Sequence, residues 1–169
     1  MPQTVEDELQ PIFLELGRAV FVCQAFEGTL IMLLSTVSHQ NADEETGAFI
    51  ASVAFLSQKT LGQLLKRLKD EIDIPDELNE YFITGWTARN WIVHDFLHEC
   101  VDLLLVPKGR MEAVEVLAAR KKEVKLADVL ANKLLDLQMK RYGLSVDDLK
   151  RDADRIWDHM NPDQSNLSH

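Results

Sequence analysis

Residues that interrupt helices are scarce in this chain of 169 residues, which has seven glycines and five prolines. The segments between them are long, and they lack the strict alternation of apolar and polar residues that is typical of strands. Residues 101–106 are the exception, because this short apolar run has no helical period and ends at Pro107. We interpret it as a connector.

Cysteine is equally scarce, since the chain contains Cys23 and Cys100 alone. Both lie in apolar periodic segments, which predicts free, buried thiols and no disulfide. No uninterrupted apolar run reaches the ~18 residues that a membrane span requires, and the acidic N-terminus lacks the features of a signal peptide. These absences predict a cytoplasmic protein without a membrane segment.

Basic residues are outnumbered, with 18 Lys and Arg against 28 Asp and Glu, so the formal net charge is −10. A protein that grips a nucleic-acid backbone without sequence preference relies on lysine and arginine. The charge balance therefore excludes a general phosphate-tracking function. It remains compatible with a nucleic-acid enzyme whose pocket is locally basic.

Apolar residues recur with spacings of three and four along most of the chain, which indicates amphipathic helices. The predicted helices cover about residues 11–38, 44–74 (with a second cap at Thr60), 76–99, 110–143 and 145–160. The fold class is therefore all-α, a bundle of four or five helices in one domain spanning residues 1–160, with a frayed polar tail at 161–169. On the 110–143 helix, charges of both signs from Arg120 to Asp128 predict a solvated face with weak ion pairs.

The third predicted main helix, 76–99, contains the polar residues with the greatest chemical potential. It is apolar nearly all the way round, which is typical of an enclosed helix, yet Arg89, Asn90 and His94 lie in its middle. On a regular helical wheel Asn90 and His94 share a face, whereas Arg89 and His94 diverge by about 140° and flank that face. An arginine can hold a phosphate through two hydrogen bonds, and a histidine can transfer protons near neutral pH. Together they could cleave a phosphodiester bond without a metal.

The segment Arg89-Asn90-Trp91-Ile92-Val93-His94 resembles the signature of the HEPN superfamily. In that family an arginine, commonly followed by a polar residue, precedes a histidine by four to six intervening residues on a late helix of a small bundle. The order of helices around the motif is also similar, and the resemblance covers about residues 10–145.

The resemblance implies a homodimer in which two motif helices form a composite pocket that cleaves RNA with the substrate 2′-hydroxyl as nucleophile. His94 would act as general base or acid, Arg89 would hold the scissile phosphate, and Asn90 would orient one of the other two. No metal and no cofactor are implied. Such enzymes often act as toxins of toxin–antitoxin systems or in phage defence, with an antitoxin or regulatory protein as partner.

One position departs from the pattern. HEPN toxins that are paired with nucleotidyltransferase antitoxins often have a tyrosine two residues after the histidine, as the target of modification. Here that residue is Phe96. Neutralisation by modification at this position is therefore not expected.

Five further residues are second candidates. Glu27 and Gln24 are polar residues on the apolar first helix, where they are expected in buried surroundings, either paired with an arginine or lining the pocket. His98 follows His94 by one turn, but the pair lacks the glutamate of the zinc-binding HExxH motif, so we expect His98 to face solvent. Trp86 and Trp91 flank the motif and suit core packing, a dimer interface or base stacking.

A different class of function fits the same residues. In a non-catalytic helical interaction module, Arg89, Asn90 and His94 would form a sealed network of buried polar groups, and the long fourth helix would bind a partner. Nucleotide binding without cleavage is a third interpretation. An open pocket favours the ribonuclease, whereas a sealed and fully hydrogen-bonded network favours the module.

Overall fold

The computed structural model describes residues 5–39, 46–141 and 143 of the chain. Within these ranges the regular structure is helical, and no strand occurs. The elements are α1 (Val5–His39), α2 (Thr46–Leu56), α3 (Leu61–Glu71), α4 (Asp76–Asn90), a π-helical turn (Trp91–Asp95), α5 (Phe96–Glu99), α6 (Val101–Leu105) and α7 (Pro107–Arg141). The all-α prediction is confirmed for the described residues. The predicted helix at 145–160 and the tail at 161–169 lie outside them.

Two long helices, α1 and α7, form the frame of the fold, and they run parallel to each other. Lys121 of α7 pairs with Glu15 of α1, and further along both helices Thr29 donates a hydrogen bond to Asp128 over 2.9 Å. Residue numbers therefore rise together along the interface. Because short loops join antiparallel helices, the parallel pair requires the intervening helices as a long connection.

The prediction that the charged face of α7 is solvated is wrong for Asp128, which is 3% exposed. Its carboxylate accepts hydrogen bonds from Thr29, from Asn132 over 3.0 Å and from Lys125 over 2.7 Å. A buried carboxylate is tolerated only when its oxygens are hydrogen-bonded or paired in this way. Part of the charged sequence of α7 thus fixes its packing on α1.

Thr60 separates α2 from α3 through a capping box, in which Thr60 and Gln63 exchange side-chain and backbone hydrogen bonds. The predicted second helix is consequently two helices, and the motif lies on the fourth helix in chain order. α3 then buries Leu61, Leu64 and Leu68 against the core. The predicted connector at 101–106 is also helical at Val101–Leu105, as α6.

α4 crosses the frame at a point of close approach. A Cβ added to Gly85 would lie 2.5 Å from the Cβ of Ala127 on α7, so glycine allows the two backbones to meet. One turn earlier, the ring of Phe82 stacks on Phe26 of α1 at a centroid distance of 6.4 Å. These contacts fix the C-terminal half of α4, and thereby the motif, against both long helices.

By length and composition, one helix in the described part of the chain is apolar enough to cross a membrane. It is Val5–Ser38, whose most apolar 18-residue window has a mean hydropathy of 1.7 and is 39% buried. Glu27 is the only charged residue between Ala19 and Val37, so the expectation drawn from uninterrupted apolar runs missed this segment. Core helices pass the same test, and one stripe of α1 is buried in the main core.

The substitution Gly85→Ala tests the contact between α4 and α7. The added methyl overlaps Ala127, and overpacking of this kind costs about 1–3 kcal/mol, or about 2–4 °C in melting temperature for each kcal/mol. Gly28→Ala is the control, because its added Cβ meets no atom within 4 Å beyond the adjoining backbone of its own helix, and alanine stabilises a helix interior by about 0.5–1 kcal/mol relative to glycine. Thermal denaturation followed by circular dichroism measures both, and a Gly85→Ala protein as stable as the wild type contradicts the close approach.

Candidate functional site

A cavity of about 560 Å³ opens between α1, the start of α3 and the C-terminal end of α4. It contains all three residues of the motif. Its lining consists of Glu27, Lys59, Thr60, Leu61, Gly62, Trp86, Arg89, Asn90, His94 and Asp95. The cavity lies within the size range of small-molecule and nucleotide sites.

The π-helical turn Trp91–Asp95 brings the motif residues together. The backbone N–H of Phe96 donates to the carbonyl of Trp91, five residues earlier, so residues five apart lie on one side of the helix. Nη1 of Arg89 consequently lies 3.2 Å from Nε2 of His94. The prediction from a regular helical wheel, that these two side chains diverge, is wrong.

The guanidinium of Arg89 is the centre of the hydrogen-bonded network. Its Nε donates to Oε1 of Glu27 over 2.6 Å, and its Nη1 donates to Oδ1 of Asn90 over 3.2 Å. The side chains of Arg89 and Glu27 are 20% and 31% exposed, so this ion pair is only partly shielded from water. Among the described residues, Nη2 of Arg89 has no hydrogen-bond acceptor. Two N–H groups thus remain available to a ligand.

His94 is exposed and completes the network. A guanidinium has donors and no acceptor, so its contact with His94 is a hydrogen bond only when Nε2 carries no proton. In that form Nε2 is the basic atom of the imidazole. A ligand that draws Nη1 of Arg89 away therefore leaves a proton acceptor beside it.

The two tryptophans of the motif helix, which comprises α4, the π-helical turn and α5, have different environments. Trp86 lines the cavity, and its ring packs over Gly62, where an added Cβ would lie 3.3 Å from the indole. Trp91 instead packs against both hydrophobic clusters, and its Nε1 donates to Glu99 over 2.6 Å. Trp86 is therefore in a position to contact a ligand, whereas Trp91 supports the π-helical turn from the core.

Of the other candidate residues, one lines the cavity and two do not. Glu27 belongs to the site, whereas Gln24 is exposed and does not line the cavity, so the expectation of buried surroundings is wrong for it. His98 is exposed and also lies outside the lining. Within the described ranges, no group of three or more His, Cys, Asp or Glu side chains is arranged to hold a metal ion.

Several lining residues were not found by sequence reasoning, namely Lys59, Thr60, Leu61, Gly62 and Asp95. Four of them belong to the start of α3 and the connection before it. They reach the cavity because α3 packs against α4, and no motif spacing records that contact. The capping signal at Thr60 located the start of α3, but it does not show that α3 packs against α4.

Cys23 lies near the ion pair on the inner side of α1 and is 2% exposed. Burial raises the pKa of its thiol to about 11; the charge of Arg89 opposes this rise, and that of Glu27 adds to it. The thiol therefore stays protonated near neutral pH and is a poor nucleophile. Both cysteines are free and buried, as predicted.

The motif helix is less enclosed than its composition predicted. Ile83, Val93 and Leu97 are 47%, 43% and 60% exposed, and Trp86 is 37% exposed. The expectation of an enclosed helix is therefore wrong within a single chain. One side of the helix leaves apolar side chains uncovered next to the cavity.

Comparisons with protein-family models, with curated proteins and with solved structures find no match. The geometry of the cavity is therefore the basis for assigning its chemistry.

The stability of two variants distinguishes an open site from a sealed polar network. His94→Ala removes an exposed side chain and should change the free energy of unfolding by no more than about 0.5 kcal/mol. Arg89→Met leaves Glu27 without its cation and should cost about 1–3 kcal/mol. The double variant Arg89→Met with Glu27→Gln should recover part of that loss, as measured by urea denaturation in a double-mutant cycle. A loss for His94→Ala as large as that for Arg89→Met contradicts an open site.

Proposed function

We propose that the protein is a metal-independent endoribonuclease of the HEPN type, which cleaves RNA at a composite site formed by two copies of the chain. The observation that carries the proposal is the geometry of Arg89. Its guanidinium contacts both Asn90 and His94 at 3.2 Å and keeps Nη2 without a protein acceptor, inside an open cavity. A phosphate oxygen is the acceptor that such a planar donor group fits best.

The reaction follows from these groups. Arg89 holds the scissile phosphate, and Nε2 of His94 takes the proton of the adjacent 2′-hydroxyl, whose oxygen attacks the phosphorus. The bond from phosphorus to the 5′-oxygen breaks, and this oxygen leaves with a proton supplied by a general acid, the role assigned to His94 of a second copy. The products are a 2′,3′-cyclic phosphate and a 5′-hydroxyl. Asn90 keeps Arg89 oriented through its side-chain carbonyl.

Glu27 orients the catalytic guanidinium in this scheme. Since it accepts from Nε, it leaves the two N–H groups of Nη2 for the substrate. A carboxylate this close also offsets the positive charge of Arg89. Binding of phosphate therefore depends on directed hydrogen bonds rather than on a strongly positive cavity.

A second copy of the chain is the proposed cover for the apolar side chains exposed along the motif helix. Ile83, Trp86, Val93 and Leu97 are all more than a third exposed, and exposed apolar groups of this number on one helix usually mark a contact. A two-fold axis here brings two motif helices face to face. The composite cavity would then hold two copies of Arg89 and His94.

The proposed biological setting is a cytoplasmic toxin or anti-phage effector with an antitoxin or regulatory partner. The environment of Phe96 indicates how the activity of such a toxin would be controlled. This residue is 1% exposed and packs edge-on against Trp91 at a centroid distance of 5.6 Å. This position offers neither a hydroxyl nor access for a modifying enzyme, so control through a binding partner is favoured over modification at this residue.

One observation favours the alternative, a non-catalytic interaction or nucleotide-binding module. Glu27 already neutralises Arg89 in the free protein, as expected for a structural ion pair. The openness of the cavity and the exposure of His94 favour the enzyme. Ligand binding without cleavage is therefore an outcome that the following experiment can detect.

Purified protein should cleave single-stranded RNA in the presence of EDTA and leave 2′,3′-cyclic phosphate ends, which gel electrophoresis and mass spectrometry identify. His94→Ala should lower the rate at least about 100-fold, the smaller effect expected for loss of a general acid–base group. His98→Ala is the matched control, since His98 is exposed one turn away and does not line the cavity. Activity that disappears in EDTA and returns with a divalent cation overturns the mechanism, and equal rates for the two variants remove His94 from it.

The oligomeric state tests the composite site separately. Light scattering at micromolar concentration should report a dimer for the wild type and a monomer for Leu97→Glu, because the new charge would be buried at the interface. Phe21→Glu is the control, since Phe21 is 71% exposed on α1 and lies outside the motif helix. A wild-type monomer, or dimerisation lost only with Phe21→Glu, contradicts an interface on the motif helix.

A further inference from the structure

A second groove adjoins the cavity of the motif at the corner between α2 and α3. Its volume is about 290 Å³, and its lining consists of Phe55, Leu56, Lys59, Gln63, Leu64 and Arg67. Lys59 lines both this groove and the cavity that contains Arg89 and His94. The two spaces are therefore neighbours, and a chain-like ligand could occupy both.

Lys59 is the cation of the groove that is free to meet an anion. Among the described residues it makes no ion pair, and its ammonium lies 4.2 Å from the centroid of the Phe55 ring. Arg67, by contrast, pairs with Glu71 and donates to Ser38 over 3.0 Å. An exposed cation–π contact is worth about 0.5–1 kcal/mol, so Lys59 can exchange it for a phosphate at little cost.

Phe55 provides an aromatic surface beside that cation. It is 52% exposed, whereas the neighbouring Leu56 is fully buried, so the ring lies at the surface above an apolar floor. An exposed aromatic ring next to a lysine is the combination that takes up one nucleotide of single-stranded RNA, with the base stacked and the phosphate paired. The volume of the groove is close to the lower limit for a small ligand.

The local charge agrees with this assignment. Residues 59–69 contain four basic side chains and no acidic one, although the chain as a whole carries a net charge of −10. The capping box between Thr60 and Gln63 fixes the backbone directly after Lys59. The backbone of Lys59 is thus placed at the boundary of the two spaces by a defined helix start.

We infer that this groove is a subsite for single-stranded RNA, in which Phe55 stacks on the base of a nucleotide beyond the two that the cleaved bond joins, and Lys59 binds its phosphate. The inference rests on the proposed ribonuclease function, and it adds that the substrate must be unpaired next to the cleavage point. Duplex RNA cannot place a base on Phe55 without unstacking it.

Binding is measured first, with a fluorescein-labelled single-stranded hexanucleotide whose 2′-hydroxyls are methylated, so that it cannot be cleaved. Phe55→Ala and Lys59→Ala should each raise its Kd about tenfold, the scale of one lost stacking or phosphate contact. The matched controls are Phe21→Ala and Lys66→Ala, which remove an exposed phenylalanine and an exposed lysine that line neither space. Thermal melting verifies that all four variants fold.

Cleavage of two unmodified substrates then shows whether the variants impair the groove or the cleavage site itself. A hexanucleotide reaches the groove, whereas a dinucleotide contains only the cleaved bond, so the loss in kcat/KM for Phe55→Ala and Lys59→Ala should be at least about fivefold larger on the hexanucleotide. The loss should appear in KM. Equal losses on both substrates, or none on either, overturn the subsite while leaving the ribonuclease intact. Weakened hexanucleotide binding in these two variants, without cleavage of any RNA by the wild type, supports the subsite and rejects the ribonuclease.

Discussion

The ion pair between Arg89 and Glu27 is the interaction on which the site depends. Glu27 is the only charge in the apolar half of α1, and its 2.6 Å contact with Nε of Arg89 joins that helix to the motif helix. A carboxylate left alone there would be poorly solvated, and so would the guanidinium. The pair compensates both charges and also determines which N–H groups of Arg89 remain for a ligand. Stability and the proposed function therefore require the same geometry of one arginine.

The position of His94 depends on a different part of the molecule. Its contact with Arg89 requires the π-helical turn, and two aromatic side chains anchor this turn to the core. Trp91 is partly buried and packs against both hydrophobic clusters, and Phe96 is fully buried against it. One additional residue in a helical turn weakens regular hydrogen bonding, and such turns occur frequently at functional sites. Here it aligns two residues that a regular helix would separate. The core thus sets the distance between the two groups that are proposed to bind phosphate and to transfer protons.

Sequence periodicity predicted the helices, which depend on local structure. It failed for side-chain positions and burial that depend on tertiary packing. Spacings of three and four located the long helices, and the residue types at 89, 90 and 94 selected three residues that line one cavity. The π-helical turn contains no proline or glycine that would indicate an irregular helix, so the regular helical wheel misplaced His94 relative to Arg89. Asp128 was assigned to solvent because its partner Thr29 is 99 positions away in the chain. Lys59 could not be found for the same reason, since it lines the cavity only when α3 packs beside α4. The groove at Phe55 depends instead on the corner between α2 and α3, which no motif spacing records.

The acidic character of the chain is compatible with the proposed chemistry because few charges are needed. The cavity lining contains two basic residues, Lys59 and Arg89, and two acidic residues, Glu27 and Asp95. Because these charges offset each other, the cavity has no strong positive potential. A duplex, whose recognition depends on many backbone contacts, is a poor ligand for such a surface. An unpaired strand can instead gain affinity from stacking on Phe55 and Trp86 and from a few directed hydrogen bonds. The low positive charge and the exposed aromatic rings therefore favour the same proposed substrate, a flexible single strand.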